Sequence, residues 1–105
     1  MELNERLGVR LGEQKANLLE QYCDDFNQPV SVTIRRSVLS VLVDDDHNFD
    51  FEDDLIEEPL ADKAYHFRVS EKTRENLEEK SEKLDVPMSD IIREAVDESL
   101  WRAGY

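Results

Sequence analysis

A stretch of this chain repeats itself without a gap at an offset of 58 residues, so that residues 6–43 align with residues 64–101. Ten of the 38 aligned pairs are identical: Arg10/Arg68, Glu13/Glu71, Leu19/Leu77, Glu20/Glu78, Pro29/Pro87, Ser31/Ser89, Ile34/Ile92, Arg35/Arg93, Val38/Val96 and Leu42/Leu100. Chains as short as one copy rarely bury a core alone, and a single cysteine, Cys23, excludes an internal disulfide. The repeat therefore predicts two copies that share one core.

The charge of the chain is unevenly distributed. A net charge of −13 normally argues against nucleic-acid binding. However, the segment 44–62, "DDDHNFDFEDDLIEEPLAD", holds ten acidic residues and no Lys or Arg, and the rest of the chain has a net charge of only −3. The acidity belongs mostly to the joint between the copies, so the repeats themselves remain candidates for binding a polyanion.

Each copy begins with an alternating segment, residues 6–12 and residues 64–70, which predicts a half-buried strand. The side chains expected to face inward are Leu7, Val9, Leu11, Tyr65, Phe67 and Val69. Those expected to face outward are Arg6, Gly8, Arg10, Ala64, His66 and Arg68. A lone strand leaves its backbone groups unpaired, so we expect antiparallel pairing of the two strands.

Two helices are expected to follow each strand. Ser70 is a candidate N-cap with Thr73 three residues on, and Pro29 and Pro87 separate the first helix of each copy from the second. The first helices are expected to bury Ala16, Leu19, Cys23 and Phe26, and Leu77, Ser81 and Leu84. The second helices are expected to bury Val30, Ile34, Val38, Val41 and Leu42, and Met88, Ile92, Ala95, Val96 and Leu100, with Trp101 and Tyr105 over the end. The predicted fold is α+β and mostly helical, with a two-stranded antiparallel ribbon and four helices.

The second copy, "YHFRVSEKTRENLEEKSEKLDVPMSDIIREAV", resembles the ribbon–helix–helix family of DNA-binding proteins. It has an alternating strand, a helix, a turn, Ser89 and the run from Ile92 to Val96; the first copy, "NQPVSVTIRRSV", keeps the equivalents of these positions. The family works as a dimer of single units. The resemblance therefore implies a tandem pseudo-dimer in one chain, with units 1–43 and 63–105 sharing a core and an acidic linker, 44–62, between them.

The resemblance implies a sequence-specific transcriptional regulator, acting as a repressor, whose ribbon enters the major groove of double-stranded DNA. The outward residues Arg6, Gly8, Arg10, Ala64, His66 and Arg68 would then contact bases. Arg10 and Arg68 are the strongest candidates because a guanidinium can bind guanine O6 and N7 together. Gly8 and Ala64 cannot hydrogen-bond through a side chain, so we expect few and asymmetric base contacts.

The start of each second helix offers a site for DNA phosphate. The resemblance implies that Ser31 and Ser89 contribute there, although ordinary capping explains them equally well. Asp90 would repel phosphate and weaken the second site. For Arg35 and Arg93 we favour surface or inter-copy salt bridges, with Glu13 and Glu71 as example partners, over a phosphate role.

Other chemistry is not expected. The sequence shows no catalytic constellation, so we predict no enzyme activity and no cofactor. His66 has no Cys/His cluster beside it to form a zinc site, and Cys23 falls on a core stripe, where an inert packing role is expected. No apolar run approaches the ~20 residues of a membrane span, and the N-terminus lacks a signal-peptide pattern. A cytoplasmic location follows as the expectation.

Two alternatives remain open. The chain could be an antitoxin-like or adaptor module that binds a protein through the acidic linker, in which acidic and apolar residues alternate. The linker could also fold over the arginine face as a DNA mimic. The chain is expected to be a monomeric pseudo-dimer or a homodimer of pseudo-dimers, with an intertwined homodimer as a third possibility.

Replacement of residues 44–59 by a neutral linker of equal length tests the mimic hypothesis. We expect tighter DNA binding, because nine acidic residues no longer compete with phosphate for the arginines. The measurement is DNA affinity by titration at several salt concentrations. An affinity that does not change at any of them would exclude a mimic.

Overall fold

The computed structural model describes residues 4–43 and 62–105. Its elements in chain order are β1 (Glu5–Gly12), α1 (Glu13–Asp25), α2 (Val30–Val43), β2 (Asp62–Val69), α3 (Glu71–Leu84) and α4 (Met88–Arg102). The predicted architecture is confirmed: a mostly helical α+β fold with a two-stranded antiparallel sheet and four helices. The predicted acidic linker lies outside the described residues, except that its last residue, Asp62, is the first residue of β2.

The register of the ribbon follows the sequence repeat. Strands β1 and β2 pair antiparallel with Gly8 opposite His66, and these two residues are themselves equivalent positions of the repeat. Arg6 lies opposite Arg68, and Arg10 lies opposite Ala64. In the repeat, Arg6 is equivalent to Ala64 and Arg10 is equivalent to Arg68. The two pairs are therefore equivalent positions on either side of the Gly8–His66 pair.

One face of the ribbon is covered by the helices. Val9, Leu11, Phe67 and Val69 are buried, while Leu7 and Tyr65 are half-buried and pack against the same core. The alternate positions are exposed, as the period-2 pattern predicts. The ribbon therefore has a core face and an outer face, and none of the four described helices covers the outer face.

The first helix of each copy ends in the same way. Asn27 and Asp85 are equivalent residues, and both adopt a left-handed backbone, with φ of 53° and 60°. Asn and Asp tolerate this conformation better than most residues other than glycine. Pro29 and Pro87 follow two residues later, and the second helix then begins at Val30 or Met88.

The helix starts are less alike. Ser70 caps α3, because its hydroxyl accepts a hydrogen bond from the backbone N–H of Thr73 at 3.2 Å. The equivalent residue before α1 is Gly12, which has no side chain to do this. The predicted cap at Ser70 is confirmed, and only one of the two copies has it.

The core lies between the ribbon and the helices. Its helical members include Ala16, Leu19, Cys23, Ile34, Val38, Val41, Leu77, Ile92, Ala95, Val96 and Leu100. The predicted burial of Phe26 and Leu84 is wrong, since they are 58% and 37% exposed, and Trp101, expected to pack over the helix end, is 76% exposed. The predicted core positions Val30, Leu42 and Met88 are partly buried and pack against the core. Phe26 and Leu84 stand next to the left-handed residues, where the chain turns away from the core.

Tyr105 covers the position that Trp101 was expected to share. The chain turns back after α4 through Gly104, whose φ of 88° favours glycine. The Tyr105 ring then meets Tyr22 edge-on at a centroid separation of 5.5 Å, and its hydroxyl donates to Asp25.

None of the helices within residues 4–43 and 62–105 is long and apolar enough to cross a membrane.

The unequal caps give a matched pair of stability tests. Ser70→Ala should lower the free energy of unfolding by about 1 kcal/mol, because the Thr73 amide loses its acceptor. Gly12→Ser should raise it by a few tenths of a kcal/mol, since Gly12 has an extended backbone and open space around a new Cβ. Urea unfolding followed by circular dichroism measures both. Equal shifts in the same direction would contradict the capping explanation.

Candidate nucleic-acid interface

The outer face of the ribbon brings together all six residues predicted to contact bases. Arg6, Gly8, Arg10, Ala64, His66 and Arg68 are each exposed. They alternate with the buried row, so the packing of the core fixes the direction in which they point. The structure thus places the predicted base-contacting set on one open surface.

The arginines on this surface are unevenly placed. Arg6 and Arg68 are directly opposite each other, so two guanidinium groups stand at one end of the ribbon. At the other end Arg10 faces Ala64, which carries no charge. Like charges directly opposite on paired strands destabilise a sheet. The Arg6–Arg68 end is therefore a site where a bound anion would relieve repulsion.

The centre of the outer face carries one polar side chain, that of His66. A Cβ added at Gly8 would lie 3.2 Å from Nδ1 and 3.3 Å from Cε1 of His66, so the imidazole lies over the glycine. These separations are tighter than ordinary van der Waals contact, and a side chain at position 8 would force the ring to shift. Gly8 therefore leaves room for His66, and the central pair presents one hydrogen-bonding group instead of two.

The predicted phosphate-contacting residues lie in the first turn of a helix. Ser31 is the second residue of α2, and Ser89 is the second residue of α4; both are partly exposed. The residue that caps α4 is Pro87, which makes no side-chain hydrogen bond to the helix. Ser89 is thus not the N-cap of its helix, although its position near the positive end of the helix dipole is as predicted.

Arg93 forms the expected surface salt bridge, although with Asp90 and not with the example partners Glu13 or Glu71. Arg93 Nε also donates to the backbone carbonyl of Arg10 at 2.9 Å, and Arg35 Nη1 donates to the carbonyl of Arg68 at 3.4 Å. Each arginine reaches the strand of the other copy. A backbone carbonyl is already fixed in the strand, so binding it immobilises no second long side chain.

Asp90 also differs from its expected role. Its carboxylate accepts from Arg93 Nη1 at 2.6 Å, so the neighbouring guanidinium compensates its charge. The repulsion of phosphate predicted for Asp90 is correspondingly weakened. The equivalent residue in the first copy is Val32, which cannot hold Arg35 in this way.

Cys23 belongs to the core, as predicted. Its side chain is buried, and Sγ donates to Thr33 Oγ1 at 3.3 Å. Burial raises the pKa of the Cys23 thiol, which keeps the unreactive protonated form at neutral pH. Within the two described stretches, no group of three or more His, Cys, Asp and Glu residues could hold a metal ion.

Sequence reasoning missed the hydrogen bonds from Arg35 and Arg93 to the strands. A signal was present, because this is one of the few charged pairs that are identical in both copies. The sequence could not identify the acceptors, since a backbone carbonyl leaves no trace in side-chain patterns.

Comparison of this chain with protein-family models, curated proteins and solved structures gives no match.

The opposed arginines predict an unusual effect on stability. Arg68→Ala should increase the free energy of unfolding by about 0.5 kcal/mol relative to Arg10→Ala, because only the first removes a like-charge pair. The difference should shrink as salt is raised from 20 mM to 500 mM, since salt screens exposed charges. Urea unfolding of both variants at the two salt concentrations measures it. A difference that is absent at low salt would show that the guanidinium groups do not repel.

Proposed function

We propose that this protein is a sequence-specific DNA-binding transcriptional regulator, acting as a repressor, whose two-stranded ribbon enters the major groove. The single observation that carries the proposal is the outer face of the ribbon. It holds three exposed arginines and one exposed histidine in a chain with a net charge of −13. An acidic protein that concentrates exposed basic side chains on one flat element has a surface suited to a polyanion.

The geometry of a ribbon suits this task. The major groove of B-DNA admits a two-stranded ribbon, and every base pair presents there a distinct pattern of donors and acceptors. Arg6, Arg10 and Arg68 would bind guanine, and His66 would contact a base edge near the centre. Gly8 and Ala64 would allow close approach without reading a base, and Ser31 and Ser89 would help to hold phosphates beside the groove.

The arrangement that we propose is a tandem ribbon–helix–helix pseudo-dimer. Units 1–43 and 63–105 would share one core and be joined by the acidic linker 44–62. Three observations support it: a register centred on the equivalent residues Gly8 and His66, the equivalent left-handed residues Asn27 and Asp85, and the reciprocal hydrogen bonds of Arg35 and Arg93.

The outer face also suggests the form of the DNA site. Two arginines at one end and one at the other make the ribbon directional. One chain would therefore select a non-palindromic site. Two chains bound side by side would select a longer, symmetric site.

One observation favours a second candidate, an antitoxin-like or adaptor module that binds a protein. Trp101 is 76% exposed and lines an open groove of about 330 Å³ with Leu18 and Tyr105. Exposed tryptophan is enriched at the centres of protein interfaces. An intact fold without DNA affinity, together with a protein that co-purifies and is lost on Trp101→Ala, would favour this candidate.

Selection from a random-sequence DNA pool at low salt tests the proposed function. We expect enrichment of a non-palindromic motif that contains guanines. Arg10→Ala and Arg68→Ala should each weaken binding to the selected DNA by about 1–3 kcal/mol, as expected for arginines that bind guanine through two hydrogen bonds.

Lys63→Ala is the matched control. It also removes one positive charge from β2, but Lys63 belongs to the other row of the strand and pairs with Glu20. We expect it to change the affinity for selected DNA by less than about 0.5 kcal/mol. Failure of the wild-type chain to enrich any motif, or equal losses in all three variants, would contradict sequence-specific reading by the outer face.

A further inference from the structure

Two equivalent arginines tie each second helix to the strand of the opposite copy. Arg93 in α4 donates to the carbonyl of Arg10 at 2.9 Å, and Arg35 in α2 donates to the carbonyl of Arg68 at 3.4 Å. Arg35 and Arg93 are 58 residues apart, and so are the two acceptor residues. The two hydrogen bonds are therefore reciprocal, and each crosses from one copy to the other.

The acceptors are significant because of the side chains that they carry. Both carbonyls belong to residues whose guanidinium groups point outward on the ribbon, Arg10 and Arg68. Each donor, moreover, lies one helical turn after Ser31 or Ser89 in the first turn of its helix. One side chain thus connects a helix start to the peptide group that supports an outward arginine.

The two connections differ in strength. Arg93 is also held by Asp90 Oδ1, 2.6 Å from its Nη1, and makes the shorter of the two bonds to a strand. Arg35 has Val32 at the position equivalent to Asp90. A guanidinium that is already oriented by a carboxylate loses less side-chain freedom when it binds a carbonyl. The strand end at Arg10 is therefore held more rigidly than the strand end at Arg68.

We propose that Arg93 and Arg35 are positioning residues for the outward arginines, and that the Arg93–Asp90 pair makes Arg10 the more stringent reader. This inference rests on the proposed DNA-binding function. Arg10 selects one base strictly because its peptide group is fixed relative to α4. Arg68, supported by the weaker bond of Arg35, tolerates more than one base at its position.

The main competing role for Arg93 is direct contact with a DNA phosphate. The two roles predict different salt dependence. Loss of one phosphate contact lowers the slope of log affinity against log salt by about 0.9, whereas loss of a positioning residue leaves that slope unchanged. A positioning residue affects the ratio of affinities for selected and scrambled DNA instead.

The two copies suggest matched variants, because the position one helical turn before the arginine is Asp90 in the second copy and Val32 in the first. Asp90→Val gives the second copy the residue of the first, and Val32→Asp does the reverse. Asp90→Asn is the conservative control, because an amide oxygen can still accept from Arg93 without a charge. Circular dichroism and urea unfolding establish that each variant is folded before any other measurement.

The first readout is amide hydrogen exchange in the full-length protein without DNA. We expect Asp90→Val to speed exchange around Arg10 in β1 by about fivefold, as the loss of one charge-assisted hydrogen bond implies. Asp90→Asn should restore most of the protection, and Val32→Asp should slow exchange around Arg68 in β2. Unchanged exchange in both strands for Asp90→Val and Val32→Asp would overturn the positioning role.

The second readout uses the selected DNA. Asp90→Val should reduce discrimination at the base read by Arg10 by about fivefold and leave the salt slope unchanged. Arg93→Gln should do the same; a fall of the slope by about 0.9 would instead assign Arg93 to a phosphate and overturn the proposal. If the wild-type chain enriches no DNA motif, the proposed function fails, while the exchange experiment still decides whether Arg93 and Asp90 fix the strand.

Discussion

The antiparallel pairing of β1 with β2 is the interaction on which the rest of the structure depends. Each copy of the repeat contains one strand, and an isolated strand leaves its backbone N–H and C=O groups without partners. The only strand that either copy finds within the described residues is that of the other copy. Once Gly8 lies opposite His66, the inward row of both strands meets one set of helices, and a single core results.

The same pairing explains why the two faces of the ribbon carry such different residues. Val9, Leu11, Phe67 and Val69 are buried in a close-packed core, where changes of volume are costly. The outer face has no such restriction, yet it places Arg6 opposite Arg68, a pair that opposes folding. Residues that weaken the free protein and yet stand on an open surface are typical of binding sites, where a ligand supplies the missing stabilisation.

The sequence was sufficient to predict those features that depend on repeated local patterns. The alternation around Val9 and Phe67 predicted the strands and their faces, and Ser70 with Thr73 predicted the helix cap. The predicted burial of Phe26 and the predicted packing of Trp101 over the helix end were wrong, because a helical stripe does not reveal where the chain leaves the core.

Contacts between distant segments were harder to predict. The partners of Arg35 and Arg93 are backbone carbonyls of the opposite strand, and they depend on how the helices sit on the ribbon. Exposed arginines suggest carboxylate partners, and Arg93 has one in Asp90; the additional carbonyl acceptors could not be read from side-chain patterns. The base-contacting roles of the outer face follow from chemistry and from resemblance, so they remain predictions.

The two copies are unlike in the core as well as on the surface. The hydroxyl groups of Ser37 in α2 and Ser99 in α4 lie 2.7 Å apart, and Ser37 is 2% exposed. Their equivalents in the other copy are Ala95 and Val41, so this hydrogen bond can form only between a first copy and a second. A first copy paired with another first copy would place Ser37 against valine and lose this bond, although Ser37 would keep its hydrogen bond to the carbonyl of Thr33. The Ser37–Ser99 hydrogen bond therefore favours the pairing of a first copy with a second copy. Because the outward residues of the two copies differ, a ribbon built from one of each has an asymmetric outer face.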